Sequence, residues 1–390
     1  MNDIFFGILQ LTGSALNNKK CILPKDFDWN KAIVISMQHH IAVLIYYGAY
    51  NSGIKIPSPY SNILYKYTLQ SIQLDAVQNY NFNIMSKSFG DNDIDYLPLK
   101  GIILKKYYPK SEMRFMSDID ILIKSEQYAK ICNVMNNLGF KFKLESNHEY
   151  VWVNNNSNIE LHKMLIPSYN KDFYRYYGDG WKHAKCSGNN MFKLNKEDFF
   201  IYTFTHLAKH YRDSGIGIKH FLDIWLLIKS EKNFDYKYIE RELKKIDLWT
   251  FYRNCVKMLD VWFNAEESDE ISDFMTNWIF SSGAYGKDDN KELSAALKKT
   301  NLPNIKHRQI LLYIKKIFPS YQEMKKVYII LDKLPWLLPV TWFIRIMDLI
   351  IFKRKNISAS NLKLKKLTDH NIKNYQSALE YVGLKFDFKE

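Results

Sequence analysis

The chain has 390 residues, a formal net charge of +14 and 47% hydrophobic residues, among them 27 Tyr, 24 Phe and 9 Trp. That much apolar surface excludes a largely disordered chain, and the length suits two or three domains. Cys21, Cys132, Cys186 and Cys255 form no CxxC pair, which excludes a zinc ribbon or disulfide framework and suits a reducing cytoplasm.

The opening MNDIFFGILQ lacks a basic n-region and a small-residue cleavage site, so no secretion signal is expected. Residues 1–90 read as a helical N-terminal region, with apolar residues at helical spacing through Ala32–Tyr50 and Ile63–Met85. Between these runs, SGIKIPSPYS is a connection punctuated by Gly, Pro and Ser. Residues 91–190 read as an α/β core. DYLPLK (95–100) is a short strand, GIILKKYYP (101–109) one or two helical turns stopped by Pro109, and DIDILI (118–123) a strand. A helix is expected over 125–139, with Ser125 as N-cap, Ile131, Val134, Met135 and Leu138 as its apolar stripe, and Gly139 at its end. FKFKLE, HEYVWV and IELHKML follow as strands.

Residues 191–390 read as a helical C-terminal region. Its most apolar stretch, 334–352, contains Pro335, Pro339, Arg345 and Asp348, which argues against a membrane span. A buried helix is expected there, with Trp336, Trp342 and Phe343 in the core and a membrane-surface or partner-binding helix as the alternative. From Leu297 to Glu390, 19 Lys+Arg face 7 Asp+Glu, so +12 of the charge lies in this tail. Such a surplus attracts an anionic partner, though a genome biased toward Lys, Asn and Ile produces the same skew.

The chemistry concentrates in residues 96–123. Asp118 and Asp120 lie two apart on the expected strand, so their side chains share a face, ~6–7 Å apart along it. Two carboxylates so placed repel unless a cation lies between them, and hard oxygen ligands suit Mg²⁺ or Mn²⁺. Lys100-Gly101 joins a strand to a helix start, where Gly lets the backbone approach a ligand and helical N–H groups favour phosphate. Arg114 could neutralise a triphosphate oxygen or pair with a carboxylate, and Ser117 could offer a hydroxyl. Glu160 and His162 share a face of a later strand. If that strand neighbours DIDILI, Glu160 becomes a third carboxylate, and His162 could contact phosphate or acceptor. His206 and His210 share a helix face without an HExxH pattern, which favours lining a cleft over ligating a metal. Lys219 and Asp223 are also four apart, and read as an ion pair or, for Lys219, as a phosphate contact.

The set L-K-G, then R-x-x-S-D-I-D, then an acidic-Leu-His strand resembles the uncharacterised nucleotidyltransferase family of the DNA polymerase beta-type nucleotidyltransferase superfamily. The resemblance is densest over 96–165 and looser through 206–228 and the late apolar stretch. It implies an α+β fold: a mixed β-sheet core flanked by helices. It implies Asp118, Asp120 and Glu160 as metal ligands and catalytic residues, Lys100 and Gly101 as the phosphate-facing turn, and Lys219 as a weaker phosphate contact. Many superfamily members carry Gly-Ser at this turn. Here Ile102 follows Gly101, so phosphate contacts would come from Ser117 or Arg114.

The implied function is Mg²⁺-dependent transfer of an NMP from an NTP, ATP among them, to a hydroxyl, with release of pyrophosphate. The acceptor stays open: nucleic acid, a glycan or a lipid-linked intermediate each suits the basic tail. A toxin-like enzyme modifying tRNA or protein is one alternative, and a non-catalytic nucleotide- or polyanion-binding module another. A cytoplasmic protein without a transmembrane helix is expected, peripheral to a membrane in one variant.

Overall fold

The computed structural model describes residues 2–154, 157–283, 286, 290–291, 293–294, 314, 318–325, 327–352 and 368–385. Two compact units emerge, one formed by Met1–Gly286 with Tyr381–Glu390, the other by Lys287–Glu380.

The first unit opens with helices α1 (Asp3–Asn17), α2 (Trp29–Gln38), α3 (Ala42–Ser52) and α4 (Ser58–Asp91). Asn2 and Asp28 cap α1 and α2 by accepting from the Ile4 and Lys31 amides. α1 and α3 approach so closely that a Cβ at Gly48 would collide with the Leu11 carbonyl. α4 is mostly polar, yet it buries Thr68, Ser71, Asp75, Gln78 and Asn81. That stripe grips the segment leading to the acidic residues. Asp75 accepts from Lys105 at 2.6 Å and from Ser111 at 2.5 Å, and Gln78 donates to the Met116 carbonyl at 2.7 Å.

The sheet is formed by β1 (Tyr96–Pro98), β2 (Ile119–Ile123), β3 (Lys141–Glu145), β4 (Glu149–Asn154), β5 (Ser157–His162), β6 (Ala184–Gly188) and β7 (Met191–Leu194). Its spatial order is β3-β4-β5-β2-β1-β7-β6. The β2–β5 and β1–β7 pairs are parallel and the others antiparallel. The sheet is therefore mixed, and the fold is α+β. β3 is exposed throughout, and Lys141, Lys143 and Glu145 blunt this edge. α5 (Lys100–Leu104) follows β1, and a 3₁₀ turn at Ser125–Gln127 leads into α6 (Tyr128–Asn137). That turn replaces the expected Ser125 cap, since no side chain caps either element, while Gly139 adopts φ +79° just beyond the helix.

Alternation along the paired strands sorts side chains between two faces. Ile119, Ile121 and Ile123 of β2 and Ile159 and Leu161 of β5 enter one core with Met85 and Phe89 of α4 and Ile131, Val134 and Met135 of α6. Asp120, Glu160 and His162 therefore face the opposite side. The remaining helices of this unit are α7 (Lys171–Tyr177), α8 (Lys196–Asp213), α9 (Ile218–Ser230), α10 (Tyr236–Lys245), α11 (Trp249–Phe263) and α12 (Glu270–Phe280). At the end of α8, buried Arg212 ion-pairs with Asp172 and donates to Asn170 at 3.2 Å.

In the second unit the described helices include Tyr321–Lys325, Leu338–Phe352 and most of Asp369–Tyr381. The expectation of a buried helix over 334–352 does not hold. Trp342 packs inward, its indole donating to the Pro319 carbonyl at 2.9 Å, but Trp336 and Phe343 are exposed. Several basic residues of the tail, including those at 353–367, lie outside the described residues. Among the described residues no helix is long and apolar enough to cross a membrane.

Candidate active site

The site grows from the register of β2 and β5. Asp120 is the Cα partner of Glu160, and Leu122 of His162, across a parallel pair. His162 Nε2 donates to Asp120 Oδ1 at 2.7 Å and lies 3.8 Å from Glu160 Oε2. Asp120, Glu160 and His162 each offer a ligand atom within 4.8 Å of the others. Asp118, in the bend before β2, lies outside that group, but it acts electrostatically on Glu160 and is acted on by Asp120. Sequence reasoning assigned His162 to phosphate or acceptor. Its imidazole instead joins the carboxylates.

Two half-buried lysines stand beside these acids. Lys100 Nζ donates to Asp120 Oδ1 at 3.2 Å and to His206 Nε2 of α8 at 3.3 Å. A lysine ammonium only donates, so His206 accepts at Nε2 and carries its proton on Nδ1. His210 lies 3.0 Å from the same nitrogen. The HxxxH spacing signalled that these rings share a face. Their proximity to Lys100 could not be read, because α8 lies far from β1 in sequence. Lys100 adopts φ +36°, a left-handed conformation that costs a non-glycine residue roughly 1–2 kcal/mol. Lys219 Nζ donates to the Phe115 carbonyl at 3.2 Å and interacts electrostatically with Asp118 and Asp120. It does not take Asp223 as its hydrogen-bonded partner.

That partner is Arg114. Its Nε and Nη2 each donate to Asp223 at 2.8 Å, and Tyr108 Oη donates to Asp223 Oδ1 at 2.9 Å. Of the two roles expected for Arg114, phosphate contact or carboxylate pair, the second is present: a guanidinium whose fork is filled by a buried carboxylate serves first to lock α9 onto the loop before β2. The third nitrogen lies over Gly101, where an added Cβ would come within 3.0 Å of Arg114 Nη1 and collide with Met116 Sδ. Gly101 thus makes room for this loop, and the left-handed backbone expected of a glycine falls to Lys100. Ser117 is exposed beside Asp118 and hydrogen-bonds to it. Glu149, unremarked in the sequence, approaches the site across the β4–β5 pair, 4.0 Å from His162 Nδ1 and 3.0 Å from His148 Nε2.

Burial raises the Glu160 carboxyl from 4.5 to about 8, helped by Asp118, Asp120 and Glu149. Burial and Asp120 likewise raise Asp118. Asp120 moves the other way: burial opposes its ionisation, but Lys100 and His162 outweigh it. Burial, then Arg114, lowers Lys219 to about 8. The cluster is thus short of positive charge, and the donor set of carboxylates and one imidazole fits a divalent cation.

A pH dependence follows. Between 4.5 and about 8 the unfolded chain has released the Glu160 proton while the folded chain retains it, so stability falls as pH rises through this window. The depressed Asp120 contributes the opposite dependence, at lower pH. Thermal melts in chelator should show the wild-type midpoint falling relative to that of Glu160→Gln from about pH 5 to about pH 8, a difference in which His39, His40, His206 and His220, lowered by burial and acting in the opposite sense below 6.5, cancel. An unchanged slope in Glu160→Gln would assign the effect to other groups.

The protein is thus an α+β chain whose mixed sheet carries an acidic cluster on one face, with half-buried lysines beside it. The sequence profile of the family described as "Uncharacterised nucleotidyltransferase" matches residues 25–264, more than half of the chain, and the chain belongs to that family. Membership supports nucleotidyl transfer as the general activity. No curated protein gives a significant match. One solved structure with some similarity is titled "Solution Structure of Antibiotic-Resistance Factor ANT(2'')-Ia Reveals Substrate-Regulated Conformation Dynamics". It shares 12% identity, covers 49% of this chain and 100% of its own, and has a TM-score of 0.33, a likeness that carries no argument about function.

Proposed function

We propose that the protein moves an NMP from an NTP to a hydroxyl acceptor, releasing pyrophosphate, with Mg²⁺ or Mn²⁺ held by Asp118, Asp120 and Glu160, and His162 beside them. The observation that carries this reading is the Asp120–Glu160 register with His162 inside a 4.8 Å ligand cluster and Lys100 against it. A divalent ion bound there would neutralise phosphate charge and lower the barrier to displacement at the α-phosphate.

The chain's own residues would supply the rest. Lys100 and Lys219 would hold the polyphosphate, and a bound polyanion would keep Lys219 charged although burial lowers it to about 8. Gly101 and Ser117 would flank the phosphates. Arg114 would act through Asp223 by fixing the loop that aims Asp118. Glu160 would either complete the ligand set or take the acceptor hydroxyl's proton as general base, a task suited to a carboxyl ionising near 8.

The test is a thermal-shift screen over four NTPs with Mg²⁺ or Mn²⁺, followed by incubation with labelled NTP and cell extract. NTP with metal should stabilise more than either alone, by about 2.7 kcal/mol at a hundredfold excess over Kd. The size and nuclease or protease sensitivity of the labelled product identifies the acceptor as small molecule, glycan, lipid-linked intermediate, nucleic acid or protein. Growth arrest on expression would favour the toxin-like variant. Absence of both shift and label, with salt-sensitive polyanion binding retained in Asp120→Asn, would replace the transferase by a binding module.

A further inference from the structure

The helix Leu338–Phe352 is amphipathic in the reverse of the usual sense. Val340, Phe343, Ile344 and Met347 fall at i, i+3, i+4 and i+7, the spacing of a single helix face. In a soluble protein such a stripe normally enters a core. Here, with Trp336 on the preceding turn, these five side chains are 40–71% exposed. The inward side of the helix holds Thr341, only 2% exposed, and Trp342, which stacks edge-on against Phe318 and donates to the Pro319 carbonyl. Among the described side chains, the helix is thus anchored through a threonine and a tryptophan and turns Val340, Phe343, Ile344 and Met347 outward.

The flanking charge has one sign. Residues 333–366 contain eight Lys+Arg, among them Lys333, Arg345, Lys353, Arg354 and Lys355, and a single acid, Asp348. Nucleic acid would match the charge but has no use for an exposed Val, Phe, Ile and Met stripe. A protein groove would match the stripe, and the charge only if its rim were acidic as well. An anionic bilayer surface matches both: its interface takes Trp and Phe at headgroup depth, and its phosphates attract a sequence in which basic residues flank an apolar stripe.

We propose that the Leu338–Phe352 helix, with Trp336 before it, docks in the plane of an anionic lipid surface, with Val340, Phe343, Ile344 and Met347 inserted at the interface. Fifteen residues that include Arg345 and Asp348 are too short and too polar to span the hydrocarbon, so the helix lies on the membrane without crossing it.

The experiment is flotation of the full-length protein with vesicles of phosphatidylcholine alone and with vesicles carrying about one-third phosphatidylserine. Wild type should float with the anionic vesicles, and raising salt from about 0.1 M to about 0.5 M should weaken binding several-fold. The double substitution Val340→Ser with Phe343→Ser should weaken binding at least tenfold while melting temperature stays the same, because both side chains are exposed. Phe343→Trp, which keeps an interfacial aromatic, should bind as well as wild type and covers the case in which the double variant fails to fold. Absence of wild-type binding to anionic vesicles, equal binding of a folded double variant, or a preference for double-stranded RNA or DNA over vesicles would each overturn the proposal.

Discussion

Asp120→Asn is expected to lower nucleotidyl transfer on the order of 10²–10³-fold or more, the largest activity effect of any single change in this chain. Asp120 is where the site converges. It accepts from His162 at 2.7 Å and from Lys100 at 3.2 Å, and it is in register with Glu160. Asparagine preserves shape but removes the charge, and its amide nitrogen cannot accept a hydrogen bond or bind a cation. The metal-dependent part of the thermal shift should disappear with the activity, while far-UV circular dichroism stays unchanged. Initial rates with labelled NTP measure the first effect and melts with and without Mg²⁺ the second. Transfer within tenfold of wild type would remove Asp120 from the catalytic set.

Arg114→Ala is expected to be the most destabilising substitution near the site, costing about 3–5 kcal/mol. The guanidinium and Asp223 are almost wholly buried, with side chains 5% and 1% exposed. Removing the cation strands a buried carboxylate whose other partner is Tyr108. Arg114→Lys should recover only part of the loss, because an ammonium cannot reproduce the two parallel bonds. Replacing both partners by apolar residues of similar size, Arg114→Met with Asp223→Leu, should recover most of it, since no unpaired charge is left behind. Denaturant midpoints of the four proteins decide the matter. If Arg114→Ala instead left the midpoint unchanged and raised only the KM for NTP, Arg114 would be a phosphate contact after all.

Much of the fold is legible along the chain because it rests on local patterns. Alternation marked DIDILI and IELHKML as strands, and the same period of two placed Glu160 with His162 on a common face, whereas Asp118, expected on one face with Asp120, falls in the bend before β2. Helix spacing marked Ala32–Tyr50, which the structure divides between α2 and α3, and Ile63–Met85 within α4. Strands β6 and β7 escaped because Ala184–Gly188 and Met191–Leu194 are short, and β6 is largely exposed. The outward face of Leu338–Phe352 escaped for another reason: apolar periodicity reveals that a stripe exists, not which surroundings it meets.

Pairings between distant segments are of a different kind. No local signal joins Arg114 to Asp223 across 109 positions, or Lys100 to His206 across 106, since each depends on how α8 and α9 pack on the far face of the sheet. The residue types and their spacing were enough to say that carboxylates, lysines and a histidine gather in one region of the sheet. Which cation touches which acid, which arginine becomes a buried strut, and that a lysine carries the left-handed turn beside Gly101 are outcomes of packing. Electrostatic partners are chosen by proximity in space and by exclusion of water, and a linear chain specifies neither until its layers close.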